Sequence, residues 1–354
     1  MWFGNLVTMQ WWNDLWLNES FATYMSFLAM SRSPRLTHYH ATCWVTFLQY
    51  KFWGVSKDCL SSTHPICCEI AATDQAESLF DGISYGKGSA FLKQVFNILG
   101  YDTMSRGLHA YFAKYKWKNT TLPDFVSCLA DAYRESGDVS LGPNFDFTAW
   151  CDTWLMSSGV NSFEPVIERG ADGKLRSLSI RQGMGVRGKN RLRLQRMDVG
   201  LYPVIDDAEK SHVVPHIIKN VVVSATEEMT QVDLSTMPQD FQVGAIAIND
   251  GEHAYGKVYF DPTSIDWLTD NLHRISDPLT RSTVWRYFWQ LVIDRKMTSL
   301  KYTEFVQKQL PHETVDQTIG VALMNLKVLI AYYIPTEFSA EKKDTMFAAL
   351  IALL

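Results

Sequence analysis

Apolar residues recur at helical spacing over 17–31, and Ser33-Pro34 interrupts the run. The same spacing predicts helices over 87–99, stopping at Gly100, and over about 103–116. Leu122-Pro123-Asp124 opens a further helix, with proline in the first turn, where its missing N–H costs nothing. A fifth is expected over 147–156, ending at Ser157-Ser158-Gly159. From Phe163 to Phe260 the period changes to two. Runs at 175–181, 191–194, 217–218, 221–223, 232–234, 243–248 and 257–260 are separated by Gly, Asn and Asp. Short strands at this spacing predict a small antiparallel β-sandwich. After Asp261-Pro262 the helical period returns, with helices expected over 263–274, 278–295, 301–309, 314–334 and 339–354. The pattern therefore predicts a multidomain α+β chain divided at 1–158, 159–262 and 263–354.

Composition narrows the function classes. A chain of 354 residues can bury two or three cores. A net charge of −5 gives no footprint for nucleic acid or an anionic membrane surface. No transmembrane segment is predicted, because the most apolar stretch, 319–334, carries Asn325 and Lys327 and reads as an amphipathic helix. The first residues lack the basic-then-apolar order of a signal peptide. Cysteines 43, 59, 67, 68, 128 and 151 form neither a CxxC pair nor a Cys/His zinc pattern. Free buried thiols in a reducing compartment are expected, which favours a cytoplasmic location.

Of twelve tryptophans, four (Trp2, Trp11, Trp12 and Trp16) crowd the start of the chain. So apolar a start, like the apolar end at Ala352-Leu353-Leu354, reads as a chain cut within a core. The four tryptophans are expected to form an exposed patch that promotes association.

The residues by themselves nominate little chemistry. His212 and His216 have helical ligand spacing, but Pro215 lies between them in an alternating region. His38 and His40 share a face only if extended, beside a helical break. Among 38 acidic residues, spacing singles out no glutamate.

The segment from Trp2 to Ala22, with Trp11-Trp12-Asn13-Asp14-Leu15-Trp16-Leu17-Asn18-Glu19-Ser20-Phe21-Ala22, closely resembles the aminopeptidase N (membrane alanyl aminopeptidase) family of gluzincin-type zinc metallopeptidases. In that family this segment follows HExxH, and eighteen residues separate the second histidine from a glutamate ligand in an Asn-Glu-Gly-Phe-Ala setting. Counting back from Glu19 gives Met1, so the second histidine would immediately precede Met1. Ser20 is the one change in the ligand's setting. Ser62-Thr63-His64-Pro65-Ile66 and Leu79–Gly88, with Ile83-Ser84-Tyr85-Gly86-Lys87-Gly88, resemble the family segment whose tyrosine stabilises the transition state. The stretch 154–163 resembles the exit from the catalytic domain.

The resemblance implies a helical remnant of a thermolysin-like catalytic domain, then a β-sandwich, then the start of a repeat-like helical domain. It implies one zinc ion in the intact parent, with Glu19 as a metal ligand and Tyr85 as a catalytic residue. It also implies removal of N-terminal residues from peptides with a free N-terminus by a zinc-activated water. The family's Gly-x-Met-Glu-Asn segment, which holds the substrate amine, is absent, as is HExxH. This chain alone is therefore expected to be an inactive N- and C-terminally truncated piece. The alternative is a non-catalytic binding or scaffold module. Asn18-Glu19-Ser20 and Asn119-Thr120-Thr121 match the glycosylation sequon; the first falls on the site, and the second matters only for a secreted parent.

Overall fold

The computed structural model describes residues 2–184, 191–205 and 212–334. Met1 and the helix expected over 339–354, with the apolar end, lie outside them. Within the described residues the chain is a mixed α+β structure. A parallel bridge of β1 (Thr8–Met9) with β2 (Asn119–Thr120) accompanies six helices in the first half. These are α1 (Leu15–Arg32), α2 (Cys43–Asp58), α3 (Thr73–Ala76), α4 (Gly88–Tyr115), α5 (Leu122–Ser136) and α6 (Phe147–Leu155). Apart from α3, their apolar faces share one core containing Trp16, Phe21, Phe47, Phe91, Tyr111, Phe125 and Trp154.

Local chemistry sets the helix ends. Asp124 accepts the Thr121 N–H at 2.9 Å to close a capping box on α5, and Gly137, at φ 67°, ends it. Gly100, at φ 71° and ψ 167°, breaks the path of α4 where the sequence predicts a stop. Helix α2 went unpredicted. Its residues Cys43, Val45, Phe47, Leu48, Lys51, Gly54, Val55 and Asp58 are all buried, so no single apolar stripe marks it.

The tryptophan expectation needs correction. Trp2 and Trp11 are exposed, but Trp12 is half-buried and Trp16 is 2% exposed, packed edge-on to Phe91 at 6.1 Å. The four tryptophans therefore form no common patch. The thiols divide as well: all six cysteines are free, with Cys43, Cys128 and Cys151 buried and the others half-buried.

Seven strands follow: β3 (Ser162–Arg169), β4 (Leu175–Gly183), β5 (Gln195–Pro203), β6 (His216–Val223), β7 (Met229–Gln231), β8 (Val243–Asp250) and β9 (Lys257–Val258). They make one sheet in the order β7-β4-β3-β9 and another in the order β6-β5-β8. The pairing is antiparallel except for β3 with β9, which is parallel. The strand expected at 191–194 is displaced onto β5, whose inward positions Met197, Val199 and Leu201 are buried. Helices α7 (Pro262–Asn271), α8 (Pro278–Ile293), α9 (Ser299–Gln309) and α10 (Asp316–Tyr332) complete the described chain. Three of them begin on Asp261, Asp277 and Thr298, whose side chains accept a backbone N–H of the first turn. Side chains of both sheets and of these helices, from Phe163 and Ile246 to Trp285 and Leu326, share a second core.

Buried charges fasten the two cores together. Lys87 and Asp58 pair at 2.8 Å within the first half, and the same carboxylate accepts the Gly159 N–H at 2.7 Å where the chain runs on to the sheets. The Arg193 guanidinium donates to Gly159 O, Asn161 Oδ1, Ser157 Oγ and Ser158 O. Lys51 of α2 pairs with Glu252, which also accepts from the Tyr287 hydroxyl of α8. Ion pairs this deeply buried hold geometry because separating them strands a charge without water.

Candidate active site

Glu19 sits in the second turn of α1, half-buried. The helix is anchored at its start by Asp14, whose carboxylate accepts the Leu122 N–H of α5 at 2.8 Å. Burial, the largest cause, raises the Asp14 pKa, so this carboxylate is held at a cost offset by that bond.

Tyr85 lies on a π-helical turn, Ile83–Lys87, that leads into α4. Its wider turn inserts a residue and re-aims the side chain relative to an ordinary helix entry. Asp81 stabilises the turn by accepting N–H bonds from Ile83 at 2.8 Å and Ser84 at 3.3 Å. Glycines let the turn sit against α1 and α2. A Cβ on Gly86 would stand 2.2 Å from Tyr50 O, and one on Gly54 would stand 2.6 Å from Lys87 N. Both contacts are with backbone, which cannot swing away.

Ser20, the departure from the family's glycine, is fully buried, and its hydroxyl donates to Ser84 O at 2.5 Å. A Cβ on Gly88 would meet Ser20 Oγ at 2.0 Å. The hydroxyl therefore occupies space that Gly88 leaves open, and it ties Glu19's helix to Tyr85's turn.

This packing brings Glu19 and Tyr85 together. Burial, then hydrogen bonding and charge from the Glu19 carboxylate, then Tyr50, raise the Tyr85 phenol to about 12. The phenol is thus protonated at neutral pH and available as a hydrogen-bond donor. Trp53 stacks on the Tyr85 ring at 6.2 Å and 22°, limiting its rotation.

His64 braces the same turn. Its Nδ1 meets Pro65 O at 2.7 Å, and its Nε2 lies 3.4 Å from Asp81 Oδ2. The Nε2 separation is that of an ion pair and not of an aligned hydrogen bond. Burial pulls the His64 pKa down, but Asp81, Cys68 and the Pro65 carbonyl outweigh it and raise the group to about 10. The folded pKa thus exceeds the ordinary 6.5, so the pair's stabilisation is full below pH 6.5 and is lost as pH rises through about 10. Urea unfolding of the wild-type chain and of His64→Gln should differ most near pH 6 and converge towards pH 10.5. A difference that stays constant or grows with pH would rule the ion pair out.

The histidines weighed for their spacing take no part. His216 opens β6 with its Nε2 3.2 Å from Thr236 Oγ1, and His40 Nε2 meets Ser33 O at 2.9 Å. Among the described residues, no three His, Cys, Asp or Glu side chains converge to hold a metal ion. Glu19 is one carboxylate, so the donors present do not fit a complete zinc site. Sequence reasoning missed Ser20 and Gly88 as a contact pair, Gly54 as the partner of Gly86, and Trp53. The small residues Gly82, Gly86 and Gly88 were the one available signal of close approach.

Residues 1–154 match the peptidase family M1 domain. The chain is 34% identical over 342 residues to aminopeptidase N of Streptomyces lividans, covering 94% of this chain and 37% of that protein. It is 27% identical over 360 residues to human endoplasmic reticulum aminopeptidase 2, covering 94% of this chain and 35% of that protein. Over 129 residues it is 42% identical to probable aminopeptidase 2 of Sulfurisphaera tokodaii, covering 36% of this chain and 16% of that protein. The chain thus spans little more than a third of the first two relatives' length. The site's Glu19 and Tyr85 lie inside the region matched by the family domain, and the chain belongs to the M1 aminopeptidase family of hydrolytic enzymes.

Proposed function

We propose that Glu19 and Tyr85 are this chain's contribution to an aminopeptidase site that acts on peptides with a free N-terminus. In this reading Glu19 is one metal-facing carboxylate. Tyr85 donates a hydrogen bond to the peptide carbonyl oxygen as negative charge gathers there in the tetrahedral state. The supporting observation is the placement of Tyr85 beside Glu19, with the helix of one joined to the turn of the other by the Ser20–Ser84 bond. A donor must keep its proton to serve, and a phenol at about 12 does so throughout the neutral range.

The family's zinc supplies Lewis acidity and an activated water when bound. The ligand pair and base of HExxH are not in this sequence, so we propose that this polypeptide alone does not catalyse hydrolysis. The division at 1–158, 159–262 and 263–354 is likewise our proposed domain organisation. Metal analysis after dialysis, with an aminoacyl-coumarin assay, tests the reading on this chain alone. Far less than one zinc per chain and no turnover are expected. A stoichiometric zinc or measurable hydrolysis would overturn the claim of an incomplete site.

A further inference from the structure

A cleft of about 590 Å³ opens between the C-terminal half of α1, α2, α4 and the 251–253 loop, with Leu279 of α8 at its edge. Its volume falls in the range of small-molecule sites. Neither Glu19 nor Tyr85 lines it, so the cleft is distinct from that pair.

The lining is unusual in a chain of net charge −5, because it contains no Asp or Glu. Lys93 is 95% buried there, since only 5% of it is exposed. Its ammonium spends one donor on Gly251 O at 3.0 Å and rests 4.8 Å above the Trp44 ring. Burial, then Lys51, bring its pKa down to about 7, while Glu252 only partly compensates, being itself paired with Lys51. Arg32 reaches the cleft with its guanidinium over the Tyr101 ring at 4.2 Å and makes no ion pair among the described residues. The Tyr24 hydroxyl, on a side chain 3% exposed, lines the same space with no hydrogen-bond partner among the described residues and feels the charge of Arg32. Aromatic walls complete the box: Tyr24 packs on Trp44 at 6.0 Å and on Phe96 at 4.9 Å.

A permanent cation at Arg32, a buried amine at Lys93 that an anion would help to protonate, no carboxylate, an idle phenol and an aromatic wall are the complement of one ligand type. We propose that this cleft binds a small anion carrying an aromatic or apolar body, its charge between Arg32, Lys93 and the Tyr24 hydroxyl. Such a ligand would touch residues of the first helices, the β8–β9 loop and α8, and would fasten them together. The proposal is independent of the peptidase reading.

Calorimetric titration of this chain with benzoate, benzyl alcohol and benzylammonium tests it, because the three share a ring and differ in charge. Benzoate is expected to bind at least about tenfold more tightly than benzyl alcohol, with no binding of benzylammonium. Arg32→Ala, at an exposed position, should weaken benzoate about tenfold and leave the unliganded melting temperature unchanged. Lys93→Met should weaken it as well; if that variant does not fold, Arg32→Ala decides. Equal affinities for benzoate and benzyl alcohol, or wild-type benzoate affinity in Arg32→Ala, would overturn the proposal.

Discussion

Replacing Asp58 with alanine should destabilise this chain by about 3–5 kcal/mol, the usual consequence of stranding one member of a buried ion pair. Asp58 and Lys87 are 1% and 0% exposed, so no water replaces the lost partner. The carboxylate also accepts the Gly159 N–H at 2.7 Å and the Thr63 hydroxyl at 2.6 Å, and both donors would be orphaned. Burial already brings Lys87 down to about 8 against Asp58's opposing pull, so without Asp58 the amine sheds its proton near neutrality. Urea unfolding of the two proteins measures the difference. The double variant Asp58→Ala/Lys87→Met should recover part of it, because it removes the unpaired amine. A loss below about 1 kcal/mol in the single variant would show that the buried pair contributes little to stability.

The second large effect concerns rate. In a polypeptide that joins this chain to the preceding part of the Streptomyces lividans relative, Tyr85→Phe should lower kcat by about 10²–10³, with KM little changed. Phenylalanine keeps the ring on Trp53 and within the glycine-lined contact, so only the donor is lost. That donor matters chiefly once the carbonyl oxygen carries charge, which is why kcat falls and KM does not. A KM rise without a kcat loss would make Tyr85 a substrate-binding residue instead.

Much of this was legible in the sequence, for identifiable reasons. Helices α5, α6 and α7 announce themselves by a clean apolar period with Pro, Gly, Asp or Thr at their ends. Strand β8 shows as an uninterrupted apolar run. Helix α2 was hidden because Lys51, Gly54 and Asp58 stand among its buried positions, so polarity there does not report exposure. The displacement of the expected strand at 191–194 onto β5 has a similar origin. Gln195 is buried because its amide meets Tyr255 O, and Arg193 is buried by the carbonyls it binds, so polarity there no longer reports exposure. The parallel step between β3 and β9 depends on a distant return of the chain that no local period encodes.

At the site, motif resemblance singled out Glu19 and Tyr85 without describing how they meet. The contact depends on what side chains leave out, Gly86 against Tyr50 O and Gly88 against Ser20 Oγ, and such pairs are separated widely in sequence. Ser20 in the family's glycine position looked like an isolated change. The packing shows it filling the room left by Gly88 while gaining a hydrogen bond.

The most direct measurement is hydrolysis of leucyl-coumarin amide and its N-acetylated counterpart by the same joined polypeptide, with and without Glu19→Ala. The expected result is turnover of the free-amine substrate alone, abolished by Glu19→Ala together with stoichiometric zinc binding. Turnover that survives Glu19→Ala, or no turnover by a folded, zinc-loaded joined polypeptide, would contradict the assignment of Glu19 and Tyr85 to an aminopeptidase site.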